Sequence, residues 1–209
     1  EIAFTFNCTD SLNLLLRGLL RRGDRVITTT LEHNSVLRPL NQLQQELSLD
    51  VHYTTFDAQT GLIDLVDLQQ ALTADKPTRL VVLNHASNVT GVLQPAARVA
   101  ELARQSGALT LLDAAQTAGH HDINLAELPV DFLAAAGHKG LLGPLGTGVV
   151  FVRGGHEQLL TPIRCGGTGT QSESPEQPRD LPGLFESGNL HMPGLAGRHA
   201  AVAWLLAHV

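Results

Sequence analysis

The chain has 209 residues, 43% of them hydrophobic, enough for one globular domain with a sizeable core. Its 14 basic and 20 acidic residues give a net charge of −6 without any basic run, which sets aside nucleic acid and anionic membrane as partners. Apolar stretches such as LNLLLRGLL are short and interrupted by polar residues, so none reads as a bilayer span.

In chain order, a short opening segment leads into SLNLLLRGLLRRGD, which wraps leucines around a helix and stops at Gly23-Asp24. RVITTT is a β-branched strand, and VLRPLNQLQQELS returns to helical spacing although Pro39 sits near its start. VHYTTF reads as extended, IDLVDLQQALT as a helix capped by Asp64, and RLVVLNH as a buried strand. QPAARVAELARQSG places Pro95 in its first turn and Gly107 at its stop, the asymmetry expected of a helix. ALTLLDAA, VDFLAAAG and GTGVVFVR are three further strands. Residues 166–188, rich in Gly, Thr, Ser, Pro and Glu, read as a long exposed loop, and LAGRHAAVAWLLAHV as a final helix. Strands alternating with helices predict an α/β three-layer sandwich with a mixed, mostly parallel sheet. Glu1 opens directly on a structural element and Val209 falls inside a helical pattern, so residues 1–209 are expected to be one incomplete domain of a longer protein.

Cys8 and Cys165 have neither metal-like nor redox-like spacing, which points to a reducing, cytoplasmic compartment. The ten histidines show no zinc-protease spacing, and no metal site is expected. GLLGPLGTG lacks the Gly-Lys-Ser/Thr ending of a phosphate loop; its glycines are read as shaping the backbone beside Lys139.

Ligands of open α/β sheets gather at the carboxyl ends of strands, which turns the strand ends into candidates. RVITTT is followed by Glu32-His33, and RLVVLNH by Ser87-Asn88. ALTLLD ends on Asp113 with Gln116 just beyond, and VDFLAAAG runs into His138-Lys139. Any single lysine is most simply a solvated turn residue, but an amine, an acid, an imidazole and amides converging on one crevice outweigh that explanation. A lysine amine attacks aldehydes, and pyridoxal phosphate is the commonest aldehyde held this way; its pyridinium nitrogen needs a carboxylate, for which Asp113 is placed. His33 could lie flat on the ring, and Asn88 and Gln116 could reach its phenolic oxygen. Thr9 and Asp10, where the first helix begins, suit a phosphate held by helix amides and a hydroxyl.

These strings resemble the class V aminotransferase and cysteine desulfurase family. TFNCTDSLNLL is similar to its phosphate-binding turn, LEHNSVLRPL to its ring-stacking histidine segment and NHASNVTG to its amide segment. LLDAAQTAGHHDI and AAGHKGLLGPLGTG resemble its Asp-x-x-Gln and lysine segments, all five in the family's order. The resemblance implies Lys139 as the Schiff-base lysine, Asp113 as pyridinium partner and His33 stacked on the ring. It likewise implies Asn88 and Gln116 near the phenolic oxygen, and Thr9 and His138 on the phosphate. The implied fold is the aspartate aminotransferase type, with residues 1–209 as the cofactor-binding large domain of a homodimer. In such dimers a neighbouring loop completes the phosphate site, a part that CGGTGTQSE and FESGN resemble, with Asn189 where the family has threonine.

The implied reaction is removal of sulfur from L-cysteine, giving alanine and a persulfide, with a possible sulfur-acceptor protein. Two further departures stand out. Ala136 replaces a serine or threonine that donates to the phosphate, and neither Cys8 nor Cys165 matches the desulfurase nucleophile. That cysteine and a carboxylate-binding arginine belong to a C-terminal region outside this sequence. The alternatives are a class V aminotransferase for another amino acid, and an inactive copy serving as a binding scaffold.

Overall fold

The computed structural model describes residues 1–208. Its elements run β1 (Ile2–Thr5), α1 (Cys8–Leu19), β2 (Arg25–Thr29), α2 (Asn34–Leu47), β3 (Asp50–Thr54), α3 (Leu65–Leu72) and β4 (Thr78–Asn84). They continue with α4 (Ala96–Gln105), β5 (Leu109–Asp113), β6 (Phe132–Ala136), β7 (Gly148–Val152) and α5 (Met192–His208). All seven strands join one sheet in the order β1-β7-β6-β5-β4-β2-β3. The block from β3 through β2, β4 and β5 to β6 is parallel, and β7 and β1 are added antiparallel at one edge.

The strands sort alternate side chains onto two cores. Leu80, Val82, Leu111, Phe132 and Val150 pack with Leu12, Leu16 and Leu40 of α1 and α2. Val81, Leu83, Leu112 and Leu133 pack with Leu68 of α3 and Val99 and Ala103 of α4. Two buried faces make three layers, as expected, and each fully buried leucine contributes about 1.5–3 kcal/mol relative to an exposed one.

The helix starts matter for function. The Asn7 side chain accepts from the Asp10 amide at 2.9 Å, so α1 begins at Cys8, earlier than the leucine pattern implies, and Asn7 rather than Thr9 is its cap. His33 caps α2 through Nδ1, which accepts from the Ser35 amide at 3.1 Å, and the helix runs on through Pro39. Asp64 caps α3 as predicted, accepting from the Val66 and Asp67 amides. Pro95 stands at the cap of α4, not within its first turn.

Two segments differ from expectation. β1 has reversed polarity, with Ile2 and Phe4 outward and Ala3 and Thr5 inward, so hydrophobic alternation does not reveal it. The 166–188 loop is mostly exposed, but Leu184 and Phe185 are buried in the core beside α1. Among the described residues no helix is long and apolar enough to cross a membrane.

Gly148, the first residue of β7, passes directly beneath the start of α1. A Cβ there would stand 2.5 Å from Thr5 Oγ1 and 2.6–2.7 Å from the Asn7 backbone. Gly148→Ala is therefore expected to lower stability by about 1–3 kcal/mol through overpacking, measured by chemical denaturation. An unchanged midpoint would show that the α1 start is not seated on β7.

Candidate active site

β2, β4, β5 and β6 are contiguous and parallel, so their carboxyl ends open side by side. There a cleft of about 220 Å³ is lined by Thr9, His33, Asn88, Asp113, Gln116, His138 and Lys139, among others. Seven of the nine sequence-predicted residues thus share one cleft, brought in by α1, the β2–α2 turn and the segments following β4, β5 and β6. Asp10 does not line it: its carboxylate pairs with Arg164 at 3.2 and 3.3 Å and accepts from the Phe6 amide. Asn189 is exposed and also lies outside the cleft of its own chain.

Asp113 forms the floor, with 3% of its surface exposed. Its Oδ1 accepts from the Ala115 amide at 2.9 Å and from the Cys8 thiol at 3.4 Å. Burial pushes the carboxyl above its ordinary range; the two hydrogen bonds and the nearby Lys139 and His33 side chains offset part of that. The same burial, together with Asp113, pushes the Cys8 thiol well up, so it serves as a donor and not as a thiolate.

Lys139 lies in a tight turn after β6, closed by the Leu142 amide donating to the Lys139 carbonyl at 2.8 Å. Gly140 is required beside it, because a Cβ there would stand 2.5 Å from the Ala118 carbonyl and 2.6 Å from the His120 ring. This accords with the expectation that the glycines shape the lysine's surroundings. Among the described residues no carboxylate lies within ion-pair distance of Lys139, so its amine is not consumed by a structural salt bridge.

At the other end of the cleft, Thr9 Oγ1 and Ser35 Oγ are 2.7 Å apart, and Ser35 Oγ is 2.8 Å from His33 Nδ1. This relay joins the N-termini of α1 and α2, whose first amides lack intrahelical acceptors. His138 Nδ1 is buried without a hydrogen-bond partner. Ala136 also lines the cleft and offers no donor.

The sequence reading left Ser35, Asn84 and the Cys8–Asp113 contact unassigned, although all three residues line the cleft. Ser35 has a local signal, two residues after the capping histidine. Asn84 has one in strand register, since it pairs directly with Asp113.

The fold and cleft define an α/β chain that gathers an acid, an amine and an imidazole at strand ends. The chain belongs to the aminotransferase class-V family, whose pattern it matches over residues 1–209. It is 35% identical to a probable cysteine desulfurase of Methanothermobacter thermautotrophicus, over 98% of this chain and 51% of that protein. It superposes on a cysteine desulfurase from Thermococcus onnurineus, solved in its apo form, with a TM-score of 0.89 at 34% identity, over 99% of this chain and 52% of that one. A third match is SspA in complex with cysteine, with a TM-score of 0.79 at 31% identity, over 97% of this chain and 55% of that one. The chain spans about half the length of the relatives it matches.

Because Asp113 is buried with a raised pKa, the native state keeps its proton over a window in which the unfolded chain has released it. Stability therefore falls as pH rises through that window. Asp113→Asn, which retains an acceptor for Ala115 and Cys8, is expected to raise the melting temperature of the cofactor-free protein at neutral pH. A lowered melting temperature would mean that the carboxylate is held there for stability.

Proposed function

We propose that this chain is the cofactor-binding core of a pyridoxal-phosphate-dependent cysteine desulfurase. The observation that carries the reading is one cleft with a buried carboxylate at its floor and a lysine amine without an ion-pair partner at its wall. The donor set fits the cofactor. Its phosphate arm matches the α1 amides, Thr9 Oγ1 and the unpartnered His138 Nδ1, and its ring nitrogen matches Asp113. A cleft of about 220 Å³ suits one ring with a short arm.

When bound, pyridoxal phosphate supplies an electron-withdrawing ring that stabilises negative charge at an amino acid's α-carbon. Asp113 holds a proton at the ring nitrogen, and its poor solvation makes that pairing stronger than it would be in water. Lys139, which lines the cleft, would anchor the cofactor's aldehyde through Nζ and would be the base for the α-proton. His33, fixed by Ser35, covers the ring face and keeps water from it. Asn88 and Gln116, which line the cleft, would hold the phenolic oxygen, and Asn189 would serve the neighbouring subunit's phosphate site.

The net reaction takes L-cysteine and a thiol to alanine and a persulfide: the substrate C–S bond breaks, an S–S bond forms, and the thiol proton is retained in the products. Cysteine desulfurase relatives and the cysteine-bound neighbour support this substrate. Neither cysteine of this chain suits the accepting thiol, since Cys8 is buried against Asp113 and Cys165 lies outside the cleft. A homodimer, transfer of the sulfur to an acceptor protein and a cytoplasmic setting complete the proposal; the two free cysteines accord with the last.

Titrating the protein with pyridoxal phosphate is expected to give a visible absorption band that borohydride fixes. Lys139→Ala should abolish the band without unfolding the chain. A folded wild-type protein with no band would instead favour a binding scaffold.

A further inference from the structure

Glu32 is the one buried acid of the site region that this chemistry does not use. It lies on the β2–α2 turn, 6% exposed, immediately before His33. Its Oε1 accepts from Thr29 Oγ1 at 2.9 Å and from the Asn84 backbone amide at 2.9 Å. A parallel tie runs beside it, from Asn84 Nδ2 to the Leu31 carbonyl at 3.2 Å. Thr29 Oγ1 also accepts from the Leu31 amide at 3.2 Å, closing the turn on itself. Asn84 in turn is the cross-strand partner of Asp113, and the His85 amide donates to the Asp113 carbonyl at 3.0 Å.

A covalent and hydrogen-bonded path therefore leads from His33 through Glu32 and Asn84 to Asp113. We propose that Glu32 is a positioning residue, a buried brace that fixes the turn carrying His33 against the strand end carrying Asn84, and so sets the ring-face imidazole relative to the floor carboxylate. This rests on the pyridoxal-phosphate reading of the cleft.

The brace works best uncharged. Burial, aided by Asp113 facing it from β5, lifts the Glu32 carboxyl to about 8, against the stabilising hydrogen bonds from Asn84 and Thr29. Near neutral pH this favours the protonated form, which spares Asp113 a second buried negative charge. The other ionisable groups facing Asp113 are Lys139, His33 and the Cys8 thiol. The second carboxyl oxygen, Oε2, is buried without a partner, a condition that a neutral acid tolerates better than an anion does. The sign follows. The native state retains this proton between about 4.5 and about 8 while the unfolded chain has lost it, so Glu32 lowers stability as pH rises through that window.

Three measurements test the brace: pyridoxal phosphate affinity, the NMR signal of the His33 imidazole in cofactor-free protein, and the melting temperature from about pH 6 to about pH 9. Glu32→Gln keeps an uncharged acceptor. It should bind the cofactor within about threefold of wild type, leave the His33 signal in place and show a flatter decline of melting temperature with pH. Glu32→Ala should shift the His33 signal and weaken binding about tenfold or more. A folded Glu32→Ala that binds like wild type with an unmoved His33 signal would overturn the proposal, as would Glu32→Gln with the wild-type pH profile. Should Glu32→Ala fail to fold, Thr29→Val removes one donor to the same carboxyl: a shifted His33 signal supports the brace and an unmoved one overturns it. Wild-type protein that binds no cofactor would sink the cofactor reading alone, because the His33 signal and the pH profile still decide the role of Glu32.

Discussion

The structure turns on a carboxylate held out of water at the end of β5. Asp113 is almost fully enclosed, and removing a charge from solvent is unfavourable unless something compensates. Within the chain the compensation is partial: one backbone amide, one thiol and the nearby Lys139 and His33 side chains leave the carboxyl above its usual range. In the proposed reading, a protonated ring nitrogen would supply the missing countercharge. The empty cleft would then carry an electrostatic cost that a cationic heterocycle relieves, and the stability given up there would become selectivity for the occupant.

The rest of the architecture holds that arrangement in register. Four parallel strands deliver their carboxyl ends to one place, and the antiparallel β7 seats the start of α1 from below through Gly148. The Thr9–Ser35–His33 relay ties the two helix starts together. The Lys139 turn is fixed on its flank by the close approach of the Ala118 carbonyl to Gly140. Each contact is modest by itself; their common effect is that Lys139, Asp113 and His33 have little freedom relative to one another.

Much of this was legible in the sequence, for identifiable reasons. β4 and β5 announce themselves by apolar runs, and α3 by Asp64, because burial and capping leave local marks. The strand-end rule then brings His33, Asn88, Asp113, Gln116, His138 and Lys139 together without knowledge of their contacts. What was not legible depends on partners far along the chain. β1 hides because its large apolar side chains, Ile2 and Phe4, face outward, and the antiparallel sense of β7 is set by a helix-free connection through 137–147. The pairing of Asp10 with Arg164, 154 positions away, likewise leaves no local mark. Glu32 and Ser35 escaped because their roles lie in hydrogen bonds to Asn84 and Thr9, which no local pattern encodes.

The most direct measurement of the central claim is a crystal structure of the protein grown with pyridoxal phosphate. The account predicts electron density continuous with Lys139 Nζ, and the ring nitrogen within about 2.7–3.2 Å of an Asp113 carboxylate oxygen. Density for the cofactor elsewhere on the surface, or in the cleft with its ring nitrogen turned away from Asp113, would contradict it.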